Sequence, residues 1–335
     1  MVIGGGIVGL MTAFELMRHG SAVTLLERGP LARQSSWAGG GLLSPLYPWR
    51  MPAEVWSLCA ESMTLYPALC DLLRDETGID PEWIPSGLTL LDEGEIENGL
   101  AWARQQGLTA LPLTASRGLA KPQAALHLPW VAQVRNPRLC KAFATYLRQR
   151  GVEILEQVGA VGIECSSGFA QAVNAHQRWS AEVVVVCAGA WTTEVLAAAD
   201  WQLDIRPIKG QMLLLRGEPG AVPGLLLREG RYLIPRADGR VLVGSTLEQT
   251  GFDAATSIEA ARSLREFADT LVPVCQQMPL EAHWAGLRPG SAEGIPAITQ
   301  HPRIRNLYVN AGHYRYGLTM APASARRLAV LVSSQ

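Results

Sequence analysis

No two cysteines of this 335-residue chain stand in a CxxC pair; Cys59, Cys70, Cys140, Cys165, Cys187 and Cys275 are scattered. That spacing excludes a zinc ribbon or a dithiol redox motif and reads as free thiols in a reducing compartment. No segment is rich in Lys or Arg, and 29 basic residues nearly balance 30 acidic ones. A nucleic-acid or acidic-membrane partner would require a basic patch, so neither is expected. No apolar run is long enough to span a bilayer. The uncharged start MVIGGGIVGLMTAF lacks the basic flank and small-residue cleavage site of a secretory leader. The six histidines show neither metal spacing nor a triad, so no metal is expected. Repeats, low-complexity linkers and charge blocks are absent as well. The expectation is a soluble cytoplasmic protein. Hydrophobic residues make up 48% of the chain, ample for a core spread over one large or two interwoven domains.

What is present begins at once. Residues 1–3 read as a short apolar strand, and GGGIVG follows with Gly4, Gly6 and Gly9 in the fixed positions of GxGxxG. Apolar residues then recur at helical spacing (Leu10, Ala13, Phe14, Leu16 and Met17) until Gly20. A second strand over 22–26 ends at Glu27. Strand, glycine turn, helix and a terminal acid form a dinucleotide-binding unit. Gly4 makes the turn, and Gly6 admits a pyrophosphate to the positive end of the helix. Gly9 lets helix and strand pack closely. Glu27 accepts hydrogen bonds from ribose hydroxyls, and its charge disfavours a 2′-phosphate. The first strand is shorter than the usual ~5–6 residues, so the natural start is expected a few residues upstream.

Such a unit does not separate NAD from FAD. No second GxGxxG appears, so a separate nicotinamide domain is not indicated. Residues 35–52, SSWAGGGLLSPLYPWRMP, place three glycines immediately before three prolines. Ser35 and Ser36 can donate hydroxyl hydrogen bonds. Gly39, Gly40 and Gly41 would lay bare backbone against a flat ring, with the prolines stiffening the exit. The run VVVVCAGAW at 183–191 suits a buried parallel strand whose end passes a ligand, although alone it is equally an ordinary core strand.

At this point the chain resembles the FAD-dependent amine oxidases of the D-amino-acid oxidase type, and among them most closely the glycine oxidases of thiamine biosynthesis. The resemblance rests on GGGIVG, SSWAGGGLLSPLYPW, VVVVCAGAW, IKGQM, RYLIPRADGRVLVGSTLE, HWAGLRPGSAEGIP and NAGHYRYGLTMAPAS, which together span essentially the whole chain. It implies that Arg288 clamps a substrate carboxylate, that Tyr232 donates its hydroxyl to the same group, and that Arg315 is a second active-site arginine. By the same match, Ile7, Val8, Arg28, Gln34 and Ala160 join the glycines, Glu27 and Ser35 as cofactor contacts. The segment His313, Tyr314, Arg315, Tyr316, Gly317, Leu318 and Thr319 would set its amides toward the flavin, where negative charge develops on reduction. No cysteine follows Cys275, so FAD is expected to be non-covalent. Flanked by Gly and Pro and followed by IPAI, Arg288 also reads unaided as a functional guanidinium or a buried structural ion pair. Tyr232 unaided reads as a half-buried sheet tyrosine.

The implied fold class is α/β, a Rossmann-like FAD-binding domain with an inserted antiparallel-sheet substrate domain. Residues 1–52, 136–204 and 280–335 are assigned to the first, and 53–135 and 205–279 to the second. Helices are expected over 53–77, 93–106, 136–150, 257–272 and 318–332, the third opened by Asn136 as cap and Pro137 in the first turn. Strands are expected at 87–92, twice or three times within 152–175, across 205–246 with a hairpin turn at Ala237, Asp238 and Gly239, and at 306–309. The implied reaction is oxidative deamination of glycine, or of sarcosine or a small D-amino acid, by hydride transfer to FAD. O2 reoxidation gives H2O2, the imine feeds thiazole synthesis, and no side chain acts as acid or base. The rival is a D-amino-acid or N-methyl-amino-acid oxidase or dehydrogenase. A non-catalytic flavin-binding subunit would be of another class. The partners expected are the small amino acid and O2, and the sequence leaves room for a homo-oligomer.

Overall fold

The computed structural model describes residues 1–334. Its first sheet has six strands in the order Ala297–Gln300, Leu307–Ala311, Val184–Val186, Val2–Ile3, Thr24–Leu26 and Glu153–Leu155. All pairs are parallel except the first. Alternation along these strands splits the core between two faces. Val2, Leu25, Val185 and Tyr308 pack under the helices Ile7–Arg18, Asn136–Gln149 and Gly317–Ser333. Ile3, Leu26, Val184, Val186 and Leu307 face the opposite way, against Ile163, Ala170 and Ala172 of a small three-stranded sheet.

The second sheet has eight strands, ordered Leu280–Gly290, Arg206–Arg216, Arg240–Gly244, Arg231–Pro235, Leu226–Arg228, Leu88–Leu90, Gln123–Leu128 and Leu111–Ala115. It is antiparallel except between Leu226–Arg228 and Leu88–Leu90. One face carries Leu213, Leu215, Leu233 and Val243 against the helix Ile258–Leu271. The other carries Met212, Leu227, Tyr232 and Ile234 and meets Tyr316, just ahead of the last helix, and Met320 and Ala323 within it. That helix therefore joins the two sheets.

The expected helices are present, and Ala53–Thr77 matches its reading end to end. Three strands lie within 152–175, and the hairpin turn joins Arg231–Pro235 to Arg240–Gly244. Two expectations need correcting. Asn136, read as a helix cap, is the first helical residue and makes no capping bond; its side-chain amide donates instead to the Ser36 carbonyl at 3.0 Å. Leu280–Gly290, grouped by sequence with the cofactor part, runs antiparallel to Arg206–Arg216 in the eight-stranded sheet. The bare Gly286 in that strand lets the short helix Ser35–Ala38 come close, for a Cβ there would lie 2.5 Å from that of Ala38. No helix among the described residues is long and apolar enough to cross a membrane.

Candidate active site

A cavity of about 460 Å³ opens at the carboxyl ends of the parallel strands and extends to the second sheet. Its first wall is the glycine turn. Gly4 has φ +109°, a region that disfavours side chains, and a Cβ there would stand 2.4 Å from the Cys187 carbonyl oxygen. Gly9 does not line the cavity; it acts one layer back, where a Cβ would fall 1.8 Å from the Gly4 oxygen. Helix Ile7–Arg18 thus starts tight against the strand with its N-terminus facing the cavity, and the Ile7 amide donates to the Ser36 hydroxyl at 2.9 Å.

Glu27 ends the second strand and is only 7% exposed. Its carboxylate accepts from the Gly5 amide at 2.7 Å and from Gly29 at 3.0 Å. Burial raises its pKa, and those two amides work against the rise. Beside it Arg28 lies 4.6 Å over the Trp191 ring, which stacks on Phe252 at 5.6 Å. Ala160 lines this same end.

The triglycine loop is held from behind. Arg236, buried, donates to the Gly40 carbonyl at 2.8 Å, to Val134 O at 2.9 Å and to the Gln133 side chain at 2.7 Å. Burial pulls its pKa down to about 10. Gly41 has φ +80°, and a Cβ on it would meet Val134 O at 2.0 Å. Gly40 faces the Tyr232 ring, a Cβ there lying 3.3 Å from the hydroxyl. Ser35, at the start of its helix, donates to Leu287 O at 2.8 Å, and Gln34 precedes it on the cavity wall.

At the second sheet the cavity meets Tyr232 and two arginines. Tyr232 is 8% exposed, and among the described residues its hydroxyl has only the Met212 sulfur, at 3.8 Å, as partner. The Arg288 guanidinium donates to Ser245 Oγ at 2.7 Å and, at 3.4 Å, to the Thr246 carbonyl. Arg315 reaches only the Gly230 carbonyl, at 3.4 Å. Among the described residues neither arginine has a carboxylate within 4.0 Å. Burial lowers the Arg288 pKa, and the Arg315 charge lowers it further. Two guanidiniums without an acid, beside a hydroxyl lacking a strong acceptor, can accommodate a carboxylate.

The last wall is the turn Tyr314–Tyr316 that enters helix Gly317–Ser333. His313, Tyr314, Arg315, Tyr316, Gly317 and Leu318 face the cavity, whereas Thr319 sits behind and donates to Leu42 O at 3.2 Å. His313 is buried, and burial pushes its imidazole down to about 3, so it is neutral. Of the residues assigned to the site from sequence, only Gly9 and Thr319 do not line the cavity. Asn136, Cys187, Ser245 and Asn310 line it without having been assigned, as does Ser36, which the sequence offered only as a hydroxyl donor. The Cys187 thiol, raised to about 12 by burial, stays protonated.

The cavity suits a long ligand with polar groups. Asn136 Oδ1, Asn310 Oδ1 and His313 Nε2 are buried on its wall without a protein partner. Unmet buried polar atoms are costly, and a flavin dinucleotide brings both the donors and the acceptors to meet them. The helix end suits its pyrophosphate and Glu27 its ribose. The residues present fit FAD.

Comparison with known proteins gives the same picture. A family model described as FAD dependent oxidoreductase matches residues 1–331. Glycine oxidase of Pseudomonas aeruginosa is 44% identical, the match covering 100% of this chain and 94% of that protein. A bifunctional protein ThiO/ThiG of Trichormus variabilis is 31% identical over 100% of this chain and 52% of its own length. The crystal structure of glycine oxidase from Geobacillus kaustophilus superposes with a TM-score of 0.95 at 29% identity, covering 100% of this chain and 94% of that one.

Proposed function

The chain belongs to the FAD-dependent oxidoreductase family, and from that premise we propose that it oxidises glycine to its imine. Bound FAD supplies the acceptor for the α-carbon hydride and the route by which the electron pair reaches O2, giving H2O2. The protein positions the substrate. Arg288 and Tyr232 hold its carboxylate, with Arg315 adding positive charge, and that fixes the α-carbon. Glu27 and the Ile7–Arg18 helix end take the adenosine diphosphate half, while Gly39, Gly40 and Gly41 bring backbone against the ring. The His313 imidazole is a neutral partner at the ring rather than a proton donor. No cysteine follows Cys275, and FAD is held non-covalently. The six-stranded sheet serves as the cofactor half and the eight-stranded sheet as the substrate half. The imine supplies thiazole for thiamine, a reading supported by the likeness to the ThiO/ThiG proteins.

The observation that carries this reading is the pair of guanidiniums facing the cavity with no protein carboxylate. The test is the visible spectrum of purified protein titrated with glycine without oxygen. Flavin bands should bleach, then return with H2O2 when air enters. Bands bleached by sarcosine or a D-amino acid but not by glycine would refute the substrate assignment.

A further inference from the structure

Arg288 needs a seat, and the strand beside it supplies one. Ile208 pairs with Arg288 and Gly210 with Gly286, so the Arg288 side chain shares a face with Gly210. A Cβ on Gly210 would come within 2.1 Å of both terminal guanidinium nitrogens. The guanidinium thus lies across bare backbone, held by Ser245 and Thr246. Those two residues begin the loop that leads from Arg240–Gly244 to the helix Ile258–Leu271.

That loop is fixed on the opposite face of the strand by a polar cluster around the buried Lys209. Lys209, 4% exposed, sets its ammonium 3.0 Å from the Glu248 carboxylate and 3.2 Å from the Ala255 carbonyl, with Asp253 at 3.7 Å. Lys209 and Glu248 also exchange backbone bonds at 2.9 and 3.0 Å. The other Glu248 oxygen accepts from the Thr246 hydroxyl at 2.5 Å and the Gln211 amide at 2.8 Å. Thr246 Oγ1 in turn accepts from the Gln211 backbone at 2.8 Å. Burial works to raise the Glu248 pKa, but these bonds and Lys209 hold it below the ordinary value. A cluster this connected has one low-energy arrangement.

We propose that the Lys209–Glu248 pair is a positioning unit for Arg288, fixing Thr246 and Ser245 so that the guanidinium meets the substrate carboxylate in one orientation. This rests on the reading of Arg288 as the carboxylate clamp. Neither Lys209 nor Glu248 lines the cavity, so they act only through the loop. Loosening the loop misplaces the guanidinium, and misplacement of such a clamp costs about ten- to a hundredfold.

The test uses FAD-loaded enzyme and two readouts: steady-state kinetics with glycine, and flavin difference spectra titrated with acetate, a carboxylate that cannot be oxidised. Glu248→Gln should raise the glycine KM and the acetate Kd about ten- to a hundredfold, with FAD content kept and kcat within about threefold. The charge-neutral double variant Lys209→Met/Glu248→Gln should remain equally weak. Restored affinity in that double variant would show mere charge compensation and overturn the proposal. So would unchanged KM and Kd in Glu248→Gln when Arg288→Ala raises both. If Arg288→Ala moves neither, the clamp reading falls and the positioning role with it. Should Glu248→Gln fail to fold, Thr246→Val, which removes only the linking hydroxyl, replaces it with the same expectations.

Discussion

A half-buried arginine without an acid bears its desolvation itself and keeps its charge for a ligand. Arg288 is in that position, and the space beneath it is as telling as its bonds. Gly210→Ala, which changes no polar group, should lift the guanidinium off its seat. Its kcat/KM for glycine should fall at least about tenfold at unchanged FAD content, since each charge-assisted bond is worth roughly 1.5–3 kcal/mol. Wild-type kcat/KM in that variant would contradict the seat. His313 makes a different prediction. Its imidazole titrates near about 3 when folded and near about 6.5 when unfolded. Between these values only the unfolded chain holds the extra proton. The stability the neutral ring permits is therefore complete above about pH 6.5 and is lost as pH falls toward 3. His313→Gln should flatten the acid limb of stability by about 1.4 kcal/mol per pH unit, measured from urea midpoints between pH 4 and 7. At this scale the sequence was legible where a motif led to the cavity wall, as in GLRPGS and GHYRYG. Asn136 marked the start of its helix correctly but not as a capping side chain, because the tertiary bond to Ser36 that recruits its amide spans a hundred residues. Ser245 and Lys209 gave no signal, for their roles depend on which strand lies beside which.

Among the elements, the turn before Ile7–Arg18 has the least room. Gly9→Ala places a methyl on the Gly4 carbonyl, and backbone cannot yield as a side-chain tip would. The variant should lose about 1–3 kcal/mol or more and bind FAD poorly even when folded, because the helix end must retreat from the pyrophosphate. Full flavin occupancy after gel filtration would count against this. Helices were read well, because their apolar faces recur over many turns: Ala53–Thr77 carries Val55, Leu58, Ser62, Tyr66, Cys70 and Leu73 inward. Several strands were not. Leu111–Ala115 is an edge strand exposed along nearly its whole length, so it has no inside face to alternate with. Leu280–Gly290 is interrupted by Gly286, Pro289 and Gly290, which look like loop until the helix Ser35–Ala38 is seen to need the gap.

Across the whole molecule, the cavity is walled by both sheets and by the helix that joins them. Occupancy by FAD should therefore stabilise the entire fold and not one half. At a thousandfold excess over Kd the gain is about 4 kcal/mol, and the apo and holo proteins should each melt in one transition, the holo form at higher temperature. Two transitions, only one of them moved by FAD, would show that the halves unfold independently. The interleaving that unites them also has a consequence in time. Val2–Ile3 sits between strands that begin at residues 24 and 184, and Val184–Val186 is flanked in turn by Leu307–Ala311. A ribosome delivers these pieces in order, so the first apolar strand must wait for more than half of the chain before its second neighbour exists. Throughout that interval its edge is open to wrong partners.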